Sequence, residues 1–411
     1  MKRLNYQIVL FCLLGLVVFS CQVEKMPLPV PNTESSAFGA NDTNYVELQP
    51  IWDHAGFSNP LDITMGPDGV IFVADEGNDR IVALSRSGDL MQDNGLGEIE
   101  PIAHPRGISI DSKLNVLITN GSNTLYCWNQ YLNRVTFDSV ATEVLCYDTQ
   151  VNDTVIYTFD ELKDAYLSGG PVPTELALLF EKTDVASDTL KMIHPIYQSN
   201  NPNAQFNGVA AGPYGEDRIY LTESTSDNIL WLILYPKLAI KTTGGELLFY
   251  YQAFFVRNIA SYGSGAGTVD DPWAIMTDDQ GDVYFSQLGG NFLVQKLKLP
   301  NFQSEYVLYQ HDIMDLNRFK APYDITLDDD NNIFVLDTEE KKVFKFGNSG
   351  SDAGQLLDLG KKGLALAEFE DARGLMVSNN VVYVLESGLN RIRRFQYSIS
   401  DSDIPDDEQS P

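Results

Sequence analysis

Short runs of apolar and β-branched residues alternate with turn residues along most of the chain. The stretch from residue 60 to residue 84 shows this pattern most clearly. Its first two apolar runs are separated by residues 66–69, of sequence GPDG, whose Gly and Pro residues supply the backbone angles of a tight reversal. A second polar break, at residues 75–79, leads into a third run. This pattern predicts three short antiparallel strands in one unit.

The same three-strand unit returns along the chain. The six units begin at Pro60, Pro105, Phe206, Pro272, Pro322 and Ala372. A period of roughly 40 to 50 residues with several strands in each unit is typical of β-propellers, in which each sheet buries its faces against its neighbours. The sequence therefore predicts an all-β fold, a six-bladed β-propeller.

The units resemble NHL repeats, which have the pattern Pro-x-Gly-Ile, Asp-Gly, Val-Ala-Asp and Asn-x-Arg-Ile. The match is best in residues 60–84 and 372–395, and it covers roughly residues 52–397. The resemblance implies an NHL-like propeller domain over residues 44–400. It implies no particular activity, because propeller folds carry many unrelated sites.

The last unit has three strands before an acidic tail at residues 401–411. Residues 45–52, of sequence YVELQPIW, alternate like a strand and precede the first unit. We expect this N-terminal strand to become the fourth strand of the last blade, because that pairing would hide two exposed edges at once.

One interval between units is much longer than the others. The second and third starts are 101 residues apart, which leaves an insertion at about residues 128–205. We interpret it as a long outer hairpin and excursion on the second blade, with a short helix near residues 160–167. The alternative is a degenerate seventh blade.

The N-terminus has the features of a targeting segment. Lys2 and Arg3 precede an apolar stretch at residues 8–19, and residues 18–21 read VFSC. This segment resembles a bacterial lipoprotein signal peptide, which implies removal of residues 1–20 and lipidation of Cys21. Residues 21–43 then form a Pro-, Asn-, Ser- and Thr-rich tether. The expected location is the bacterial outer membrane through the Cys21 lipid anchor, on either the periplasmic or the cell-surface side.

The net charge of −29 argues against a nucleic-acid partner, because binding phosphates requires clustered Lys and Arg. We interpret the acidic surface as a solvated one. After cleavage and lipidation, Cys127 and Cys146 remain. In an envelope compartment they fit either a disulfide or two buried free thiols on neighbouring strands.

The residue after each unit start should lie at the mouth of the central channel. These residues are Leu61, Arg106, Asn207, Trp273, Tyr323 and Arg373. Guanidinium groups form paired hydrogen bonds to carboxylates, and aromatic side chains stack on the apolar faces of sugar rings. The sequence therefore predicts a ligand-binding mouth formed by Arg106, Asn207, Trp273, Tyr323 and Arg373. The alternative is that these side chains pack between blades or cover the channel.

A second ring of oxygen-bearing residues ends the middle strands. It consists of Asp75, Asn120, Glu223, Gln287, Asp337 and Glu386. If Asp75, Glu223, Asp337 and Glu386 converged, they could hold Ca²⁺. We favour a structural role, in which each side chain accepts backbone N–H groups of its own turn, and we assign no cofactor.

Two functions fit these patterns. The favoured one is an envelope-anchored ligand-binding or protein-interaction propeller, not an enzyme, with a glycan, a peptide or an envelope protein as partner. The alternative is a lactonase-like or lyase-like propeller, in which His54 or His104 acts as general base and Arg106 or Arg373 stabilises negative charge. No Gly-x-Ser-x-Gly, HExxH or phosphate-loop motif supports catalysis.

Overall fold

The computed structural model describes residues 44–91, 102–129, 140–148, 153–158, 193–242, 247–304, 312–351 and 369–398, together with four single residues between 161 and 169. The predicted signal peptide, the whole tether with Cys21, and the acidic tail lie outside these ranges. So does most of the predicted helix at residues 160–167. No helix in the described ranges is long and apolar enough to cross a membrane.

The described strands form six antiparallel sheets, one for each predicted blade. Strand β1 (Asn44–Trp52) comes first in the chain. Blade 1 contains β2 (Pro60–Met65), β3 (Ile71–Asp75) and β4 (Arg80–Leu84). Blade 2 begins with β5 (Gly107–Ile110), β6 (Asn115–Thr119) and β7 (Thr124–Asn129). The insertion follows with β8 (Val140–Asp148) and β9 (Asp153–Tyr157), and β10 (Ile193–Gln198) completes blade 2.

The remaining blades follow in chain order. Blade 3 contains β11 (Phe206–Ala211), β12 (Arg218–Glu223), β13 (Asn228–Thr242) and β14 (Leu247–Ser261). Blade 4 contains β15 (Pro272–Thr277), β16 (Val283–Gln287), β17 (Val294–Lys298) and β18 (Gln303–Ser304). Blade 5 contains β19 (Pro322–Leu327), β20 (Ile333–Asp337) and β21 (Lys342–Phe346). Blade 6 contains β22 (Ala372–Ser378), β23 (Val381–Glu386) and β24 (Arg391–Ser398). The six-bladed propeller predicted from the repeats is confirmed.

The N-terminal strand closes the ring as predicted. Strand β1 pairs antiparallel with β24, so that Tyr45 lies opposite Tyr397 and Leu48 lies opposite Arg394. The buried Arg393 of β24 also donates from Nε to Glu47 Oε1 of β1 at 2.6 Å. The two ends of the propeller domain are therefore joined by backbone pairing and by an ion pair.

The middle strands carry the core because they are covered by a blade on each side. Every residue of β3, β6, β16 and β20 is buried. Their apolar side chains therefore run as near-continuous Ile, Val, Leu and Phe sequences instead of alternating with polar ones. This accounts for the regular positions of the repeat.

Neighbouring inner strands approach closely enough to require small residues. A Cβ atom added at Gly208 would lie 2.4 Å from the Trp273 carbonyl oxygen of the next blade. The Thr222 hydroxyl occupies the same junction, where it accepts from Gly208 N at 2.7 Å and donates to Trp273 O at 2.8 Å. Thr119 makes the equivalent contact to Asn207 O between blades 2 and 3. These contacts fix the inner strands around the channel.

The insertion contributes to two blades. Its last strand, β10, pairs with β7 and completes blade 2, whereas the β8–β9 hairpin pairs with the distal half of β13 in blade 3. Cys127 on β7 is a free, fully buried cysteine whose thiol pKa is raised by burial. Cys146 is on β8, in a different sheet from Cys127, and its side chain lies outside the described residues. Of the two alternatives left open by the sequence, a buried free thiol describes Cys127.

Candidate functional site

The six residues that follow the unit starts line a single recess at one end of the channel. They are Leu61, Arg106, Asn207, Trp273, Tyr323 and Arg373. The alignment therefore predicted their convergence correctly. The recess has a volume of about 30 Å³, which is room for little more than a water molecule. The ring of side chains therefore covers the channel, and a ligand at this end would lie on the ring.

The aromatic part of the ring is a stacked group. The rings of Trp273 and Tyr323 lie 4.7 Å apart between centroids and are inclined by 47°. The Arg373 guanidinium lies over Tyr323, 4.4 Å from the ring centroid, and its Nε donates to Asp371 Oδ1 at 2.7 Å. Burial raises the pKa of Tyr323 to about 12 although Arg373 opposes this shift, so its hydroxyl remains protonated at neutral pH. This group presents a cation beside flat apolar faces.

The second guanidinium of the ring is held by an amide. Arg106 donates from Nη1 to Asn207 Oδ1 at 3.2 Å, and Asn207 is 3% exposed. Asn207 is therefore a positioning residue more than a contact surface. Arg106 keeps further N–H donors that can bind a carboxylate in the forked geometry that guanidinium groups favour.

Two carboxyl groups lie directly under the ring, and the sequence analysis missed them. Asp62 and Asp324 line both the recess and the larger cavity below it. Asp62 accepts from Ile63 N at 2.7 Å and from Ile108 N of blade 2 at 2.8 Å. Asp324 accepts from Ile325 N at 2.7 Å and from Leu375 N of blade 6 at 2.5 Å. Each carboxyl group therefore bridges two blades.

These carboxyl groups differ from ordinary surface carboxylates in their acidity. Burial raises the pKa of Asp62 to about 7, against its usual value near 3.8. Burial, together with the charge of Asp62, raises the pKa of Asp324 well above its usual range. Because the two groups repel each other when both are ionised, they titrate as a pair that retains a proton near neutral pH.

A sequence signal for this pair was present. At the third position of each unit, the other blades carry Gly107, Gly208, Ala274 and Gly374. Only blades 1 and 5 carry Asp there, and both continue as the tripeptide Asp-Ile-Thr. An Asp residue at a position that is Gly or Ala in the other blades indicates a role beyond forming the blade.

The second predicted ring has a structural role. Asp75 accepts from Ser58 N at 2.7 Å and from Arg80 Nε at 2.7 Å, and Asp337 accepts from Lys320 N at 2.6 Å and Glu340 N at 2.9 Å. Glu223 and Glu386 likewise accept backbone N–H groups at their own blade ends. Asn120 and Gln287 bond within their turns.

The calcium alternative required these carboxylates to converge, and they do not. No group of three or more His, Cys, Asp or Glu residues in the described ranges could hold a metal ion. The four carboxylates Asp75, Glu223, Asp337 and Glu386 each belong to a separate turn network. The condition that the sequence analysis set for a calcium site at this ring is therefore not met among the described residues.

The two candidate general bases do not line the recess. His54 Nε2 lies 3.0 Å from the carbonyl oxygen of Gly88, and the exposed His104 has Nδ1 3.0 Å from Glu76 Oε1. Each imidazole contacts a loop group of blade 1 outside the channel mouth. Neither histidine therefore lies beside Arg106 and Arg373, where the lyase-like alternative requires a general base.

Comparisons with known proteins identify similar architectures. A streptogramin B lyase structure matches with a TM-score of 0.45 and 14% identity, covering 85% of this chain and 97% of that chain. A gluconolactonase from Xanthomonas campestris matches with a TM-score of 0.46 and 8% identity, covering 86% of this chain and 90% of that chain. A protein of unknown function from Bacteroides thetaiotaomicron matches with a TM-score of 0.44 and 12% identity, covering 87% of this chain and 73% of that chain.

No family model and no curated protein matches the chain. The similarity to the lyase and the gluconolactonase concerns the propeller fold, and at these scores it carries no argument about activity.

Proposed function

We propose that this protein is an envelope-anchored binding propeller whose mouth recognises an acidic glycan. The observation that carries the proposal is the convergence of Arg106, Arg373, Trp273 and Tyr323 on one recess. A sugar bearing a carboxylate offers both an anion for a guanidinium fork and an apolar ring face for an aromatic side chain. The anchor is the lipid that the sequence predicts at Cys21.

The shallow recess defines how such a ligand would bind. Because only about 30 Å³ is free beneath the ring, the ligand would lie across it and would not enter the channel. Trp273 would stack on a sugar ring while Arg106 binds the carboxylate. Arg373 would contribute a second donor group by exchanging part of its contact with Asp371, whose carboxylate it holds at 2.7 Å.

Calorimetric titration with uronic-acid oligosaccharides and with neutral oligosaccharides of the same length tests this proposal. We expect saturable binding of the acidic series only. Arg106→Ala and Trp273→Ala should each weaken it by about 10- to 100-fold, as expected for the loss of a charge-assisted or stacking contact. Arg86→Ala is the matched control because Arg86 is exposed and lies outside the recess.

Three outcomes would overturn the proposal. One is equal binding of the neutral oligosaccharides, and another is undiminished binding in the folded Arg106→Ala variant. The third is cleavage of the oligosaccharide during the titration, which chromatography of the products would detect and which would favour the hydrolase or lyase alternative. Incorporation of a labelled fatty acid that is lost in Cys21→Ala tests the anchor separately.

A further inference from the structure

Below the ring, the channel widens into a chamber of about 300 Å³. Its lining includes the two Asp-Ile-Thr segments of blades 1 and 5, at residues 62–64 and 324–326, and the residues that follow β11 and β15. Since those residues lie beyond the far ends of the inner strands, the chamber opens on the face opposite the mouth. It shares Asp62 and Asp324 with the recess and extends from there away from the proposed glycan surface.

No described basic residue of the chamber wall balances the charge of the carboxyl pair. Asp62 and Asp324 bond to backbone N–H groups, and neither forms an ion pair within the described part of the chain. None of the described residues that line the chamber is Lys, Arg or His. Buried carboxylates are usually paired with a cation or protonated, so this pair is suited to a cationic occupant.

A threonine hydroxyl beside the pair makes no hydrogen bond within the described part of the chain. Thr326 is 7% exposed, lines the chamber, and its hydroxyl makes no hydrogen bond to the described residues. It lies two positions after Asp324, on the same face of β19, and Thr64 has the same relation to Asp62 on β2. A hydroxyl that makes no bond within the protein can donate to, and accept from, a water molecule or a ligand in the chamber.

We propose that the chamber binds a small primary ammonium compound through Asp62, Asp324 and the two threonine hydroxyls. An ammonium group has three donors and no acceptor, which matches carboxylate and hydroxyl oxygens. The chamber is larger than a bare metal ion requires, and its walls include Ala210 and Met376, which can contact an alkyl chain.

Titration of the full chain with butylammonium chloride tests this site. We expect one saturable site per chain, with 1-butanol and sodium butyrate at matched ionic strength binding at least tenfold more weakly. Asp324→Asn should weaken butylammonium binding at least tenfold and Thr326→Val severalfold. Asp329→Asn is the matched control, because Asp329 is an exposed carboxylate of the same blade that does not line the chamber.

Thermal unfolding of each variant first establishes that it folds, and Thr326→Val keeps the test valid if an Asp variant does not. Arg86→Ala, at an exposed site outside both the recess and the chamber, should leave butylammonium binding unchanged. The proposal is overturned if butylammonium gives no saturable heat, or if 1-butanol binds equally well. It is also overturned if folded Asp324→Asn and Thr326→Val both bind butylammonium as the native chain does, which would indicate adsorption to the acidic surface.

Discussion

Replacing Asp62 with asparagine is expected to change how the stability of the propeller depends on pH. In the native chain, the Asp62 carboxyl group has a pKa of about 7 when folded and an ordinary value near 3.8 when unfolded. A group whose pKa is raised by folding stabilises the protein while it is protonated, and this stabilisation is lost as the pH rises through the folded pKa. The affected range is therefore about pH 4 to 7.

The size of the effect follows from the shift. About three pKa units correspond to about 4 kcal/mol as an upper limit. Asp62 keeps partial contact with the chamber, and Asp324 shares the titration, so we expect the pH-dependent part to be about 1–3 kcal/mol. The amide introduced by Asp62→Asn offers only one acceptor oxygen in place of two, so at pH 5.5 the variant should be about 1 kcal/mol less stable than the native protein. At pH 8 that deficit should shrink or reverse.

Unfolding by guanidinium chloride at pH 5.5 and pH 8 measures the difference in unfolding free energy between variant and native chain at each pH. Taking the difference between the two pH values removes the contribution of the other charged groups, including Arg106 and Arg373 in the ring and Asp278 and Asp279 in the chamber. Asp329→Asn, at an exposed site, should show no such pH dependence. A deficit of Asp62→Asn that is equal at both pH values, or that grows at pH 8, would show that folding does not raise the pKa of Asp62.

Three further substitutions test the fold that supports the site. Glu47→Ala should lower the unfolding free energy by about 2–4 kcal/mol, because it leaves Arg393 buried without its closest carboxylate. Lys320→Ala, in an exposed ion pair, should change the unfolding free energy much less. Gly208→Ala should lower the unfolding free energy measured in guanidinium chloride by over about 1 kcal/mol, because its Cβ would meet a carbonyl oxygen of the next blade at 2.4 Å. Lys296→Met should cost about 3–5 kcal/mol at pH 7 and less at pH 4, since it leaves two buried carboxylates without their cation. Unfolding free energies close to the native value would contradict each expectation.

The repeat positions predicted the fold because propeller blades impose the same demands six times. Each middle strand must be apolar on both faces, and each turn needs residues such as Gly69, whose φ of 81° lies in the region that glycine favours. The closure by β1 was also predictable, because an unpaired edge on blade 6 needed a partner. The insertion was harder, since the β8–β9 hairpin pairs with the distant strand β13, and no local pattern encodes that choice.

The mouth was predictable for the same reason as the fold, since equivalent positions of a closed ring must meet. The carboxyl pair was not found, because Asp62 follows a turn and resembles the Asp residues that accept backbone N–H groups elsewhere in the chain. Asp62 does make one hydrogen bond of this kind, because it accepts from the backbone N–H of Ile63. What distinguishes it is burial under the ring and proximity to Asp324, and both depend on how blades 1 and 5 are placed around the channel.

The Asp-Ile-Thr segments also show why the channel is asymmetric. Blades 2 and 3 join their neighbours through a hydroxyl on the middle strand, Thr119 or Thr222, which leaves glycine on the inner strand. Blades 1 and 5 have Ala74 and Leu336 at that middle-strand position, and there the inner-strand carboxyl group makes the link instead. The same carboxyl groups therefore link neighbouring blades and supply negative charge to the chamber. A ligand cation bound between them would strengthen the junction of blades 1 and 2 and that of blades 5 and 6, so occupancy of the chamber and stability of the ring should be thermodynamically coupled.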